Sequence, residues 1–530
     1  MVSAAGGGAE GTRVHRTRVL IIGTGFSGLG MAIELVRAGR RDFLVLEKAD
    51  AVGGTWRENT YPGCACDVPS HMYSFSFEPN PNWSRMWSAQ PEILAYLRGL
   101  ADKYDLYRNI HFGRSSSGGR WDETERRWHV RTADGTEYVA QFLVSAVGAL
   151  HVPNVPALPG AQTFGGTVFH SARWDHGCGL TGRRVAVIGT GASAVQVVPE
   201  IVDRVAGLQL YQRTPAWVVP RTNFAIPPGV RRAFRRVPLL RRTFRYGIYW
   251  TMEALGLGLN GHANLMAPIE RSARANIAKS VDDPDLRRRL TPSYRIGCKR
   301  ILGSDDYYPA LARPNVEVVT DPIERVTATG IVTADGVERD VDVIIYATGF
   351  HVTDGFENVN LVGADGRDLV SRWNQDGIAT HLGITAAGYP NAFFLLGPNT
   401  GLGHNSVVFM IEQQIRYACA AMALVDDRGA DAISVRATVQ DRFNVDIQRR
   451  LSRGVWSTGG CVSWYLDARG VNRTIWPGFT WQYWLRTRVV DPDDFELATG
   501  PTASVGGGAG ANSGPPCRGS PRGAPGSNLV

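Results

Sequence analysis

Val19-Leu20-Ile21-Ile22-Gly23-Thr24-Gly25-Phe26-Ser27-Gly28 and Val185-Ala186-Val187-Ile188-Gly189-Thr190-Gly191-Ala192-Ser193-Ala194 are two copies of one device, an aliphatic run closed by a glycine turn. In each, the aliphatic residues read as a buried strand and the first glycine permits a tight turn. The second glycine lets backbone amides approach a pyrophosphate at the N-terminus of the next helix. The third small residue, Gly28 or Ala194, lets that helix lie close to the sheet.

A single turn of this kind is common, so the residues downstream of each one matter. Counting 24 residues on from Gly23 reaches Glu47, at the end of Phe43-Leu44-Val45-Leu46. A carboxylate there accepts hydrogen bonds from both hydroxyls of an adenosine ribose. The same offset from Gly189 reaches Arg213, after Leu208-Gln209-Leu210-Tyr211-Gln212. A guanidinium cannot accept from ribose hydroxyls but grips a 2′-phosphate. The first turn therefore suits FAD or NAD, and the second suits NADP.

The chain has 530 residues, 44% hydrophobic and 20% charged, with a net charge of +8. These values describe a globular protein of two to four domains. The mild positive excess favours anionic cofactors; with no basic-aromatic repeat or zinc spacing beside it, it gives no sign of nucleic acid binding. Cys64, Cys66, Cys178, Cys298, Cys419, Cys461 and Cys517 are scattered and odd in number, which favours a reducing compartment. The first residues carry no apolar signal segment, and Tyr246 to Leu259 contains Glu253 and is too short to span a bilayer. A cytoplasmic protein without a transmembrane segment is expected.

Residues 1–15 read as disordered. Ala51-Val52-Gly53-Gly54-Thr55-Trp56-Arg57 and Tyr61-Pro62-Gly63-Cys64-Ala65-Cys66-Asp67 are loops directly after a nucleotide-binding unit, where function concentrates. Cys64 and Cys66 lack the spacing of an exchanging dithiol and read as packing residues. Asp67 is either a loop-capping residue or a carboxylate that orients a cation. A helix is expected from Ile93 to Tyr104, a hairpin from Trp128–Thr132 and Glu137–Val139, and a strand from Phe142 ending at Gly148. Between His151 and Gly160 a proline-rich linker marks a domain boundary. Residues 229–295 carry helical patterns only. There, Arg231, Arg232, Arg235, Arg236, Arg241, Arg242 and Arg245 beside Tyr246, Tyr249 and Trp250 form either a solvated basic face or a contact with an anionic membrane surface.

Phe164-x-Gly166-x-x-x-His170-x-x-x-Trp174-Asp175, lying between the two glycine turns, resembles the fingerprint of type I Baeyer–Villiger monooxygenases, which are class B flavin-dependent monooxygenases. The resemblance runs from about residue 17 to residue 488. In it, Gly297-Cys298-Lys299-Arg300 resembles the family's Gly-x-Lys-Arg element. This implies that Lys299 is a second ligand of the NADP 2′-phosphate and that Arg300 is catalytic, a permanent cation keeping a flavin C4a-peroxide anionic. Asp67 would hold Arg300 in place and touch the cofactor. His170 is either a general base or a hydrogen-bonded connector, and His404 a proton shuttle or a loop stabiliser. The loop Gly397 to Ser406 opens a helix from Val407 to about Leu424 whose dipole suits charge on a reduced flavin. Ser463-Trp464-Tyr465 resembles a C-terminal loop whose tryptophan contacts the nicotinamide cofactor.

Taken together, these features describe an α/β chain with two Rossmann-like domains, the NADP domain inserted in the FAD domain. Residues 16–150 and 341–490 form the FAD domain, 151–224 and 296–340 the NADP domain and 225–295 a helical insertion, with 491–530 a disordered tail. Cofactor contacts are assigned to Gly23, Gly25, Phe26, Ser27, Gly28, Glu47, Gly54, Thr55, Trp56, Asp67 and Tyr73 for FAD. Those for NADP are Thr190, Gly191, Ala192, Ser193, Ala194, Gln196, Arg213, Thr214, Lys299 and Trp464; Arg300 and Val407 complete the set. The implied activity uses FAD, NADPH and O2 to turn a ketone into an ester or lactone. Oxygenation of soft nitrogen or sulfur nucleophiles is the alternative, with thiol exchange and a non-catalytic flavoprotein as further rivals. No metal site is expected.

Overall fold

Strand Val14–Ile22 lies inside the first sheet, parallel to Phe43–Leu46 on one side and to Glu137–Ser145 on the other. Val19, Leu20 and Ile21 are at most 1% exposed, as residues on both faces of a covered parallel strand must be. In this computed structural model residues 13–352, 360–467 and 469–499 are described. The sheet runs Leu361–Val362, Ser116–Asp122, Arg127–Thr132, Glu137–Ser145, Val14–Ile22, Phe43–Leu46 and Ile110–His111, with Ala392–Phe394 also pairing to Glu137–Ser145. Two distant stretches of chain thus share one sheet. They also meet in a helix pair, where a Cβ added to Gly30 of helix Phe26–Arg37 would lie 2.8 Å from Ile415 of helix Val407–Asp427.

The second sheet is five parallel strands in the order Val316–Val319, Gly207–Tyr211, Arg184–Ile188, Val343–Tyr346 and Thr167–His170. Val343–Tyr346 sits inside it, which corrects the boundary expected at residue 341. The Ala-Thr-Gly turn comes after the strand, so the chain leaves this unit only beyond Tyr346. Residues 225–295 contain helices Pro228–Arg236, Pro238–Leu259, Ala267–Ser280 and Pro284–Leu290. Pro238 separates the first two by opening the second, the position where its missing N–H costs nothing. The insertion is fastened to the first unit by the buried Arg245, whose Nη1 donates to the carbonyls of His71 and Ser74. Phe234 and Phe244 pack edge-on against the His71 ring.

Residues 13–15 and 491–499 belong to the fold, against the expectation of disorder. The first strand begins at Val14, paired with Glu137, so residues 13–15 are not disordered. Strand Phe495–Ala498 pairs antiparallel with Ala432–Val435 and buries Phe495, so the tail does not start at residue 491. The Phe-Glu-Leu-Ala alternation suffices for a strand, and the Gly/Ser/Pro composition begins only after it. Residues 1–12 and 500–530, the remainder of the two segments expected to be disordered, lie outside the described residues.

His71, His170 and His381 are buried, and burial pushes each down to about 4 from an ordinary 6.5. Unfolding lets them bind protons, so the stability of the neutral folded form is complete above pH 6.5 and is lost as pH falls toward 4. Each contributes at most ~1.4 kcal/mol per pH unit to that loss. Thermal unfolding followed at successive pH values should show a lower Tm at the acid end, with His381→Gln recovering part of the drop. A flat profile contradicts this.

Candidate active site

Gly23 turns at φ +105°, and a Cβ there would sit 2.6 Å from the carbonyl oxygen of Ala146. At Gly28 a Cβ would lie 1.8 Å from the Gly23 oxygen, so the helix approaches the strand as closely as glycine alone allows. Gly25 is the N-cap of helix Phe26–Arg37 and no side chain caps its first turn, which leaves those amides to an anion. Gly54, at φ +52°, faces Gly25, and a Cβ on it would come within 2.8 Å of the Gly25 Cα. The two backbones therefore form a cradle that side chains would fill. Thr55 opens the short helix Thr55–Glu58 beside it. Trp56 Nε1 donates to the Tyr73 hydroxyl at 3.2 Å, and Tyr73 packs edge-on against Phe26. Ser27 is buried at the helix start. Glu47 is 4% exposed at the end of its strand, accepting from Thr24 N and Oγ1 and paired with Arg57.

The second turn repeats the geometry. Gly189 adopts φ +118°, Gly191 caps helix Ala192–Ile201 without a side-chain bond, and its Cβ position is open. Ser193 is half-buried and Ala194 fully buried against the sheet. Thr190 Oγ1 donates to the Thr214 carbonyl at 2.7 Å. Gln196 is engaged with the first unit, accepting from Tyr61 and donating to the Ala65 carbonyl. Arg213 is exposed, Lys299 is half-buried, and burial, then the Arg213 charge, pulls Lys299 below its ordinary value. Two cations that repel one another at the mouth of an uncapped helix are what a phosphate monoester would reconcile.

Between the two turns, Arg300 Nε donates to Asp67 Oδ2 at 2.5 Å and its Nη1 donates to the Leu402 carbonyl at 2.9 Å. Burial works against the charge, but Asp67 and Tyr465 outweigh it, and Arg300 is held more firmly protonated than a free arginine. Asp67 thus orients a cation. Tyr465 is buried, its phenol pushed up to about 12 by burial, while Trp464 stands 47% exposed with its ring 4.4 Å away. Arg221, to which no motif in the sequence points, donates to the Cys66 carbonyl at 2.7 Å.

The cysteines correct one expectation. Cys298, immediately before Lys299 and Arg300, is disulfide-bonded to Cys461, three residues before Trp464. The scattered thiols are therefore not all reduced, because the fold brings together positions 163 residues apart. Cys64 and Cys66 are free and buried; burial pushes Cys64 up to about 12 and Cys66 well above its ordinary value. Neither is poised for exchange. His170 accepts from Ala172 N through Nδ1, a connector's bond.

Ser406 caps the helix that opens with Val407, accepting from Val408 N. Behind this loop lies Glu253, 2% exposed, accepting from Asn405 Nδ2 at 2.6 Å, Thr480 Oγ1 at 2.7 Å and Thr480 N at 3.0 Å. His404 Nε2 lies 3.4 Å away. Burial opposes the Glu253 charge, yet these partners hold its carboxyl below the usual range. The sequence does carry a signal for it, a lone acid in an apolar stretch beside seven arginines.

A family model described as pyridine nucleotide-disulphide oxidoreductase matches residues 20–238. The chain is 51% identical over 489 residues to a Baeyer-Villiger monooxygenase of Pseudomonas aeruginosa, spanning 92% of this chain and 93% of that one. To a Baeyer-Villiger monooxygenase of Streptomyces coelicolor it is 48% identical over 94% and 96% of the two chains. A solved structure of oxidized steroid monooxygenase bound to NADP superposes with a TM-score of 0.82 at 32% identity, over 92% of this chain and 100% of that one.

Replacing Glu253 by Ala would strand the Asn405 and Thr480 donors inside the protein, at about 1–3 kcal/mol for each orphaned group. Differential scanning calorimetry should show the variant unfolding several degrees below the parent, and Glu253→Asp recovering part of the difference. Equal Tm values for Glu253→Ala and the parent would mean that the network adds no stability.

Proposed function

The chain belongs to the Baeyer–Villiger monooxygenases, and from that premise we propose that its glycine turns bind FAD and NADPH and that the space between them converts a ketone into an ester or lactone with one atom of O2. The residues present fit both cofactors: two uncapped helix starts beside glycine backbones, a buried carboxylate at the ribose position of the first, and a cation pair at the second. When bound, FAD accepts hydride from NADPH and passes the electrons to oxygen.

The observation that carries the reading is the fixed guanidinium. Arg300 is anchored on one edge by Asp67 and on another by the Leu402 carbonyl, and among the described residues its Nη2 makes no hydrogen bond. That group is free to meet negative charge developing at the reacting oxygen. A lysine in this position would lose its proton more easily on burial; an arginine keeps it. Because the charge is held before the substrate arrives, no reorganisation is needed at the moment of reaction. Arg213 and Lys299 select the phosphorylated nucleotide, and Glu47 holds the adenosine ribose of FAD. The ordered loop of Trp464 and Tyr465, tethered through Cys461 to the residue before Lys299, closes the site against water. Cys64 and Cys66 take no electrons, which separates this chemistry from that of a dithiol reductase.

No helix among the described residues is long and apolar enough to cross a membrane. On this reading the enzyme works in the cytoplasm, where NADPH is regenerated, with the Cys298–Cys461 pair an exception among its thiols.

Product analysis with a ketone and a sulfide tests the reading, ester or lactone from the ketone supporting it and sulfoxide alone overturning it. Arg300→Ala should lower ketone conversion on the order of 100- to 1000-fold while NADPH is still consumed. In Arg213→Ala, KM for NADPH should rise roughly 10- to 100-fold and KM for NADH stay unchanged. A parallel rise for both nucleotides would show that Arg213 does not read the 2′-phosphate.

A further inference from the structure

Beyond Arg242, helix Pro238–Leu259 carries its charge on the wrong side for a helix that faces water. Arg245 and Glu253 point inward and are buried. From Thr243 to Leu257 the exposed positions are Thr243, Gly247, Trp250, Thr251, Ala254, Leu255 and Leu257, none of them charged. Leu239 is 71% exposed, Trp250 53% and Leu257 43%. At 100° per residue these three fall within about 20° of one line, a stripe of about 27 Å along the helix. Water-facing helices put charge outside; this one presents leucine and tryptophan.

Arginines gather at one end of the stripe. Arg235, Arg236, Val237, Pro238, Leu239 and Leu240 are consecutive and all exposed, and Arg232 and Arg242 flank them. Between residues 224 and 269 there are seven arginines and a single acid, the buried Glu253. Arg235 donates to Asn82 Oδ1, and among the described residues none of Arg232, Arg235, Arg236 and Arg242 pairs with a carboxylate.

We propose that the corner between helices Pro228–Arg236 and Pro238–Leu259, with the outer stripe of the second, docks on an anionic lipid bilayer, the helix lying in the interface and the arginines against the headgroups. The charge pattern selects this occupant. A second copy of the chain would bring the same surface, which holds no exposed acid between residues 224 and 269 to answer the arginines. The chain's own segment beyond residue 500 contains Arg518 and Arg522 and no acid. An anionic bilayer offers both the negative charge and an apolar layer for Leu239, Trp250 and Leu257, tryptophan being a residue that favours that boundary. Docking of this kind is independent of the proposed chemistry.

Flotation of the full-length holoenzyme with vesicles of equal parts phosphatidylglycerol and phosphatidylcholine tests it. The protein should float with these vesicles at low salt, stay behind with pure phosphatidylcholine, and be released as salt rises from about 50 to about 500 mM. The triple variant Arg235→Ser, Arg236→Ser and Arg242→Ser should bind on the order of 100-fold more weakly, each arginine contributing about fivefold near such a surface. Leu239→Ser with Trp250→Ser should weaken binding at least roughly tenfold with unchanged NADPH oxidation in solution. Failure of the parent to float, flotation that ignores salt, or undiminished binding by either variant overturns the proposal. So does a self-association, read by sedimentation velocity, that the apolar variant abolishes in a parent that ignores vesicles.

Discussion

The site is built around one ion pair. Arg300 and Asp67 lie 233 residues apart in the chain, and the carbonyl that completes the guanidinium's setting, Leu402, comes from a third region. Arg300 is half-buried, and burial alone would work against its charge. The Asp67 carboxylate and the Leu402 dipole offset this only while all three segments keep their places. The first glycine unit, the stretch after the insertion and the C-terminal half of the chain must therefore be assembled before the charge is tolerable. Much of the architecture meets that condition: the Ala392–Phe394 strand added to the first sheet, the close helix pair at Gly30, and the disulfide one residue from Lys299.

Local rules govern what is legible in the sequence. Each glycine turn declares itself within ten residues, and Glu47 and Arg213 stand at a fixed offset because a strand and a helix of set length lie between. The same locality accounts for the Ser406 cap and for the break at Pro238. Arg300 and Lys299 are reached through a resemblance, and Asp67 admits two roles until the fold brings Arg300 to it. The expectation that Cys64 and Cys66 are packing residues agrees with their depth and their raised pKa values.

What escapes is long-range. Cys298 and Cys461 carry no mark of each other in the sequence, and a scatter of thiols says nothing about which two will meet. Arg221 sits in an ordinary loop, and Tyr465 is passed over beside Trp464; both matter because the fold brings them beside Cys66 and Arg300. Strand Val343–Tyr346 belongs to the second sheet although its sequence suits the first equally well, because strand order in a parallel sheet is not written in strand sequence; a crossover places it. Phe495–Ala498 is four residues long and acquires its partner, Ala432–Val435, only through tertiary pairing.

The insertion joins these two kinds of information. Its arginines and apolar residues look, in sequence, like a loosely amphipathic basic helix. In the fold, two of its charges turn inward: Arg245 to the carbonyls of His71 and Ser74, Glu253 to Asn405 and Thr480. Those bonds tie the insertion to the loop after the first glycine unit and to the loop that carries Leu402, the carbonyl partner of Arg300. With Arg245 and Glu253 committed to the interior, the helix from Thr243 to Leu257 exposes Thr243, Gly247, Trp250, Thr251, Ala254, Leu255 and Leu257, none of them charged. The contacts that stiffen the site from behind are thus the same contacts that strip charge from the surface in front.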